Sequence, residues 1–252
     1  MSILCGVVIH NTPSEIVEQL LSSLSRSTVL LSIVLLCNSS DDEQNATVDR
    51  LARQYGGKAL LREENRGFGA GHNTIVQRFG DGCEWYVCCN PDVVVEPQSI
   101  EILIAATHEH ADAVILGPKI LNVDGSVQSV HRRHPSLARW VYRQVRRVLA
   151  RPLDEIPVTR EGLDVVRTEF VSGCFFAIRL SHFHAIQGFS EDYFLYFEDA
   201  DLSRRAEKLG RNYIVQASRV THGWGKGWSK SSRLAALHLR NYARYLLRHG
   251  LF

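Results

Sequence analysis

A chain of 252 residues with 45% hydrophobic and 22% charged side chains can bury a sizeable core and is too apolar for disorder. Its formal net charge of +2 excludes a global field for nucleic acid, and no nucleic-acid partner is expected. The cysteines Cys5, Cys37, Cys83, Cys88, Cys89 and Cys174 form no C-x-x-C pair, which argues against a zinc site or disulfide scaffold and for free thiols in a reducing cytosol.

The opening residues MSILCGVVIHNT have no basic leader and too short an apolar run for a signal peptide. No stretch approaches the roughly 20 apolar residues that span a bilayer, so membrane contact is expected to be peripheral. Residues 3–9 read as a buried strand ended by His10-Asn11-Thr12-Pro13, and Ser14 precedes a helix with Ile16, Leu20 and Leu24 on one face. A second strand spans 30–36, a polar run 38–43, a helix 47–55 and a short strand 59–61. A glycine-rich loop at 65–71 leads into a helix over 73–79, and a strand over 85–89 breaks at Asn90-Pro91-Asp92. Apolar strands alternating with helices predict a single α/β domain around a mostly parallel sheet, with ligands outside the carboxyl ends of the strands. The loops at 10–13, 38–43 and 90–92 should therefore share one edge.

From about residue 117 the pattern changes. A strand and turn span 118–130, with Asp124-Gly125 at the turn, and 131–151 is basic and amphipathic. Residues 168–178 are apolar with a break at Ser172-Gly173; a helix covers 198–209, with Leu202, Ala206 and Leu209 as its apolar face. A Gly- and Trp-rich loop follows at 222–229, and a basic amphipathic helix covers 232–248. We read one domain over 1–252, with a nucleotide-binding half over about 1–116 and an acceptor-facing half over about 117–252.

Four segments carry chemistry, and taken singly each keeps a plain structural alternative. Asn90-Pro91-Asp92 is either a turn or a carboxylate at a strand end able to hold a hard cation. Glu198, Asp199 and Asp201 either stabilise a helix start, by about 0.3–1 kcal/mol each, or supply a general base desolvated by Phe194, Tyr196 and Phe197. His222 is a structural histidine or a metal ligand, with Trp224, Lys226, Trp228 and Lys230 beyond it on a loop able to close over phosphates. The loop Asn65-Arg66-Gly67-Phe68-Gly69-Ala70-Gly71-His72-Asn73 lets backbone approach a ligand, but its spacing is not the dinucleotide fingerprint.

In order and spacing these segments resemble the family-2 glycosyltransferases, especially their rhamnosyltransferase-like branch, over about residues 3–245. The pattern N-x-G-F-(G)-x-x-x-N matches Asn65, Gly67, Phe68 and Asn73; N-P-D matches Asn90 to Asp92. F-x-Y-x-E-D-x-D-L-x-x-R matches Phe194, Tyr196, Glu198, Asp199, Asp201, Leu202 and Arg205; H-x-x-G-x-S matches His222, Gly225 or Gly227, and Ser229. The resemblance implies a GT-A fold and direct, inverting displacement at the anomeric carbon. By position, Asp92 and His222 would ligate Mg²⁺ or Mn²⁺ on a nucleotide-sugar diphosphate, Asp199 would deprotonate the acceptor hydroxyl, and Glu198 would support it. His10, Asn11, Asn38 and Asp41 would hold base and ribose; Asn65, Gly67, Phe68, Gly71, Asn73 and Asn90 would line the donor pocket. Ser172, Gly173, Trp224, Lys226 and Trp228 would face the acceptor. Two positions depart from the pattern: Cys37 stands where the second strand usually ends in Asp, and Asn90 replaces the first acid of D-x-D.

Arg132, Arg133, Arg139, Arg143, Arg146, Arg147 and Arg151 are interleaved with Trp140, Val141, Val145, Val148 and Leu149, which reads either as a solvated helix or as an anionic-membrane contact. The resemblance favours the membrane, with a saccharide or lipid-linked saccharide acceptor at the cytoplasmic face. The N-P-D form leans to dTDP-L-rhamnose, with UDP-sugars next. A sugar-nucleotide nucleotidyltransferase would carry a basic glycine-rich loop after the first strand, where this chain has Asn11-Thr12-Pro13-Ser14. A non-catalytic nucleotide- or membrane-binding module sits poorly with Asp92, Asp199 and His222 all present.

Overall fold

Strand β1 (Ile3–Ile9) is buried at every position, as a strand covered on both faces must be. A computed structural model describes residues 1–61, 63–128, 133–138, 141, 142, 145, 164–223 and 232–250. Helix α1 (Ser14–Leu24) turns Val17, Leu20, Leu21 and Leu24 inward, so Val17 takes the place expected for half-buried Ile16. After β2 (Leu31–Cys37), helix α2 (Asp42–Gln54) starts earlier than its apolar pattern predicts. The Asp41 carboxylate accepts the Glu43 N–H at 3.0 Å as an N-cap, and Asp42 and Glu43 follow in the first turn.

The chain continues through β3 (Lys58–Leu60), α3 (Phe68–Phe79), β4 (Trp85–Cys89), β5 (Val93–Val95), α4 (Ser99–Ala105) and β6 (Ala113–Leu121). Then come β7 (Val165–Thr168), β8 (Phe175–Arg179), α5 (Leu180–Ala185), α6 (Glu198–Ala206), β9 (Arg211–His222) and α7 (Ser232–His249). The sheet order is β3-β2-β1-β4-β8-β6-β9-β5, with β7 also paired to β9. Strands β1 to β4 and the β6–β9 pair are parallel; β8, β5 and β7 run antiparallel to their neighbours. The expected mostly parallel α/β sheet is therefore present, with β5, β7 and β8 as its antiparallel members.

Period-2 alternation splits β1 between two cores. Ile3, Cys5, Val7 and Ile9 meet α1, α2 and α4 on one face; Leu4 and Val8 meet α3, α5 and α6 on the other. Each fully buried aliphatic side chain contributes about 1.5–3 kcal/mol. Helix α6 buries Leu202 and Ala206 and ends there, so Leu209, expected on the same face, is 45% exposed. Helix α7 packs Tyr245 against Tyr193 and Ala200 in a third, smaller cluster. All six cysteines are free.

Candidate functional site

Parallel pairing of β1 with β2 and β4 puts the three polar loops on one edge of the sheet, and the first two are in contact. Asn38 N–H donates to the Ile9 carbonyl at 3.2 Å, and Asn11 N–H donates to Gln44 Oε1 at 3.2 Å. The amide of Gln44 donates in turn to the Thr12 carbonyl at 3.1 Å, tying the first loop to α2. His10 and Asn11 are exposed, and Asn11 sits at φ 50°, a left-handed turn that asparagine tolerates. Asn38 is buried; its amide donates to Asn65 Oδ1 at 3.1 Å, while its own Oδ1 has no partner. An orphaned buried acceptor at the end of a strand is the kind of atom a ligand donor satisfies. Cys37, in place of the expected acid, is buried, and burial raises its thiol pKa, so it brings no charge to this corner.

At the end of β4, pairing of β5 with β9 sets Val93 opposite His222 and brings Asp92 to the imidazole. Asp92 Oδ1 lies 3.3 Å from His222 Nε2, and the Gly223 N–H donates to the Asp92 carbonyl at 3.0 Å. Gln128 orients the ring. Its amide nitrogen donates to the His222 carbonyl at 2.7 Å, which leaves Oε1 facing Nδ1 at 3.2 Å. An amide oxygen only accepts, so Nδ1 carries a ring proton and Nε2 is the nitrogen turned toward Asp92. At that distance the pair can be bridged by a proton on Nε2 or by a cation. Among the described residues no cluster of three or more metal-binding side chains exists, so a cation here would take its other ligands from a diphosphate and water.

Across from this corner, α6 opens with Glu198 and Asp199. Asp199 Oδ2 accepts the Gly173 N–H at 2.9 Å, and Oδ1 accepts the Ala200 N–H at 2.9 Å. Burial raises the Asp199 pKa despite these donors. Glu198 is buried, its Oε2 has no partner, and its pKa lies well above the usual range, through burial first and then the Asp199 charge. Asp201 is structural: Arg205 Nε at 2.7 Å and His249 Nε2 at 2.8 Å hold it at the α6–α7 seam. Gly173 and Cys174 join the two corners, because the Cys174 carbonyl accepts the Asn90 N–H at 2.8 Å. Half-buried Ser172 turns its hydroxyl toward Cys174 N–H at 3.4 Å.

Beneath Gly173 runs a buried relay. Burial holds His72 down to about 3, so its ring is neutral. Tyr86 Oη donates to Nδ1 at 2.5 Å, Nε2–H faces Cys88 Sγ at 3.4 Å, and the Cys88 thiol donates to the Gly173 carbonyl at 3.3 Å. Every member is satisfied, which fixes the backbone that holds Asp199.

The glycine loop needs correction. Helix α3 begins at Phe68, with Gly67 at φ 103° as its cap, so Phe68 to Gly71 are helical rather than loop. A Cβ on Gly67 would overlap the Phe194 carbonyl, one on Gly69 would meet Phe189, and one on Gly71 would meet Val8. The small residues serve close packing of protein on protein. Asn73 is likewise occupied: its amide donates to the Phe189 carbonyl at 2.9 Å and accepts the Phe189 N–H at 2.9 Å. Phe68 packs edge-on to His72 beside Gly173. Asn65 lies against Asn38, and Asn90 stands two residues before Asp92 at the end of β4. Trp224, Lys226, Trp228 and Lys230 lie outside the described residues, as do Trp140, Arg143, Arg146 and Arg147.

Three amide side chains were missed: Gln44, Gln128 and Asn241. Asn241 of α7 is fully buried and donates to the carbonyls of Leu195 at 2.8 Å and Tyr196 at 3.3 Å. Tyr196 and Phe197 hold left-handed φ of 71° and 74°, at a cost of about 1–3 kcal/mol each. The amide thus braces a strained turn immediately before Glu198. Their rings lie against His238 of α7, with centroids 5.5 and 5.0 Å away.

The model of the family described as glycosyltransferase-like family 2 matches residues 6–243. An N-acetylglucosaminyl-diphospho-decaprenol L-rhamnosyltransferase from Mycobacterium tuberculosis is 31% identical over 97% of this chain and 84% of its own. Among solved structures, GalNAc-T7 with UDP, GalNAc and Mn²⁺ aligns at TM-score 0.72 and 18% identity, over 97% of this chain and 47% of that one. The mannosyltransferase PcManGT from Pyrobaculum calidifontis, in complex with GDP-Man and Mn²⁺, aligns at TM-score 0.67 and 15% identity, over 98% of this chain and 64% of that one.

Proposed function

This chain belongs to the family-2 glycosyltransferases, and from that premise we propose that it transfers L-rhamnose from dTDP-L-rhamnose, or a hexose from a UDP-sugar, to a lipid-linked saccharide with inversion. At the coarser level it is a GT-A-fold glycosyltransferase carrying a sugar from a nucleotide-sugar donor to an acceptor. The choice of L-rhamnose and of a lipid-linked acceptor draws on the mycobacterial relative. Work on such an acceptor in cell-surface polysaccharide synthesis, at the cytoplasmic face of a membrane, is consistent with six free thiols. Among the described residues no helix is long and apolar enough to cross a membrane. Residues 1–116 hold the nucleotide in this reading, and 117–252 the acceptor.

The observation that carries the reading is the pairing of two unlike carboxylate corners across Gly173 and Cys174. Asp92 and His222 would hold Mg²⁺ or Mn²⁺, and the ion would supply positive charge to offset that of a leaving diphosphate. The two aligned solved structures contain Mn²⁺ together with UDP and GalNAc in one and with GDP-Man in the other. The orphaned Asn38 Oδ1 receives a donor from the base or ribose, with Asn65 holding its amide and His10, Asn11 and Asp41 on the same rim. The acceptor oxygen attacks the anomeric carbon as its proton passes to the Asp199 carboxylate. The carbon–oxygen bond to the diphosphate breaks, and the nucleoside diphosphate leaves with the electron pair. Asp199 is aimed by the Gly173 N–H, and burial makes it a stronger base than an exposed carboxylate. Burial and the neighbouring Asp199 charge favour the protonated form of Glu198, which limits the negative charge the pair must hold.

Isothermal titration of a nucleoside diphosphate with Mn²⁺ and with EDTA tests the metal corner. Binding is expected with Mn²⁺ and is expected to be lost in EDTA; equal affinity in both would reject the Asp92–His222 assignment.

A further inference from the structure

Helix α7 has two faces, and the catalytic architecture uses only one. Its sequence, SRLAALHLRNYARYLLRH, contains no acidic residue over 18 positions. Asn241, Tyr245 and Leu246 face inward and are buried. On the opposite side Ala236, Leu239, Ala243 and Leu247 follow one another at i, i+3, i+7 and i+11, forming one stripe; all four are exposed. Leu239 is 62% and Leu247 86% exposed. Arg233, Arg240, Arg244 and Arg248 line one flank of that stripe, all exposed, with the last two also reaching Asp192. A helix solvated for its own sake would place polar residues on its outermost line and pair its arginines with acids at i,i+4. This one does neither.

We propose that the outer face of α7 docks on an anionic lipid bilayer. The inference deepens the reading of a lipid-linked acceptor and rests on it, but its residues are separate from the two carboxylate corners. Exposed leucines enter the acyl boundary, and the arginine flank meets lipid phosphates. The helix lies in the plane of the interface, since it is too polar to span. A second copy of this chain fits the face poorly: two-fold pairing would set one arginine flank against another, and α7 carries no acidic residue to separate them. The Tyr242 hydroxyl donates to the Ser136 carbonyl at 2.8 Å, joining to α7 the segment that leads to Val141, Tyr142 and Val145, themselves 46%, 48% and 50% exposed. On its inner face the same helix braces the Leu195 and Tyr196 carbonyls before Glu198. Docking would therefore set the catalytic turn about one helix diameter, roughly 10 Å, from the lipid surface. That separation suits an acceptor sugar held close to its lipid anchor.

The test is vesicle co-sedimentation of the full chain. Phosphatidylcholine vesicles containing phosphatidylglycerol should pellet the protein, pure phosphatidylcholine vesicles should not, and added salt should release it. Leu239→Glu/Leu247→Glu should weaken binding more than about tenfold, and Arg233→Gln/Arg240→Gln by about fivefold per charge. Thermal melting and donor hydrolysis in solution should stay at wild-type values in both variants. No wild-type binding to anionic vesicles at low salt would overturn the proposal, as would undiminished binding by the leucine variant. A dimer in sedimentation equilibrium that the leucine variant dissolves would assign the face to a second copy instead. Vesicle binding without metal-dependent nucleotide binding would sink the proposed transferase chemistry and leave this surface standing; the reverse result would sink the surface alone.

Discussion

The Asp92–His222 corner and the Glu198–Asp199 corner flank the same two residues, Gly173 and Cys174, yet treat charge in opposite ways. The first sits at a strand end, where one carboxylate faces an imidazole whose proton Gln128 holds on the far side. That arrangement presents a carboxylate and a ring nitrogen side by side, the donor set proposed for the cation. The second sits at a helix start behind two left-handed residues and buries two carboxyl groups side by side. That arrangement penalises negative charge and so favours taking up a proton. Binding and proton transfer need these contrary environments, and one peptide segment separates them.

Removing Asp199 should break the comparison most visibly. Asp199→Asn should lower kcat by about 10²–10⁴-fold with donor affinity nearly unchanged, read by steady-state kinetics beside calorimetry. In the wild type, kcat/KM should rise with pH through an apparent pKa above the ordinary carboxylate range, because burial raises the Asp199 pKa. Retention of that rise in the Asn variant would move the base elsewhere. The metal corner should respond in binding instead. Gln128→Leu frees the His222 ring and should weaken Mn²⁺-dependent donor binding by about 10–100-fold, while kcat at saturating donor and metal changes little.

Asn241 sharpens the contrast from the side of the strained turn. Asn241→Ala should reduce kcat by about tenfold with donor KM preserved, since the lost brace concerns geometry at Asp199 rather than the nucleotide. A simple loss of folded protein, seen in melting, would show that the amide serves stability alone. The smallest effect concerns Glu198. Its folded-state pKa is raised, so between the unfolded and folded values the folded chain binds the proton more tightly, and stability falls as pH rises through that window. Glu198→Gln should flatten this slope and gain about 0.5–2 kcal/mol at neutral pH, measured by melting across pH. Its turnover should fall less than that of Asp199→Asn.

The residues that were legible from sequence are those whose signal is local. Residues 3–9 and 85–89 read as buried strands because every position is apolar, and both are buried throughout. Asp92 and His222 read singly as a strand-end carboxylate and a loop-root histidine, the resemblance joins them as one ligand set, and β5–β9 pairing sets them side by side. The start of α3 was misread because glycine is a poor helix former. Packing against Val8, Phe189 and Phe194 tolerates nothing larger there, so tertiary contact overrides propensity. Gln44, Gln128 and Asn241 were invisible for a different reason. A single amide has no period and no spacing; its meaning lies in a carbonyl or ring nitrogen distant along the chain. The nucleotide contacts and the division into halves rest on the resemblance together with the shared rim of the first loops.

Strand β9 has a consequence for how the protein comes into being. Its twelve residues pair with β6 along one edge and with β7 and then β5 along the other. The chain must therefore be synthesised past residue 222 before Asp92, made long before, can meet its imidazole. Closing so long a loop is entropically slow but only modestly costly once neighbouring contacts form. The nascent first half can assemble β1 to β4 and still lack the metal corner. Any ligand that joins Asp92 to His222 then acts as a late clasp, favouring the finished chain over every partly folded one.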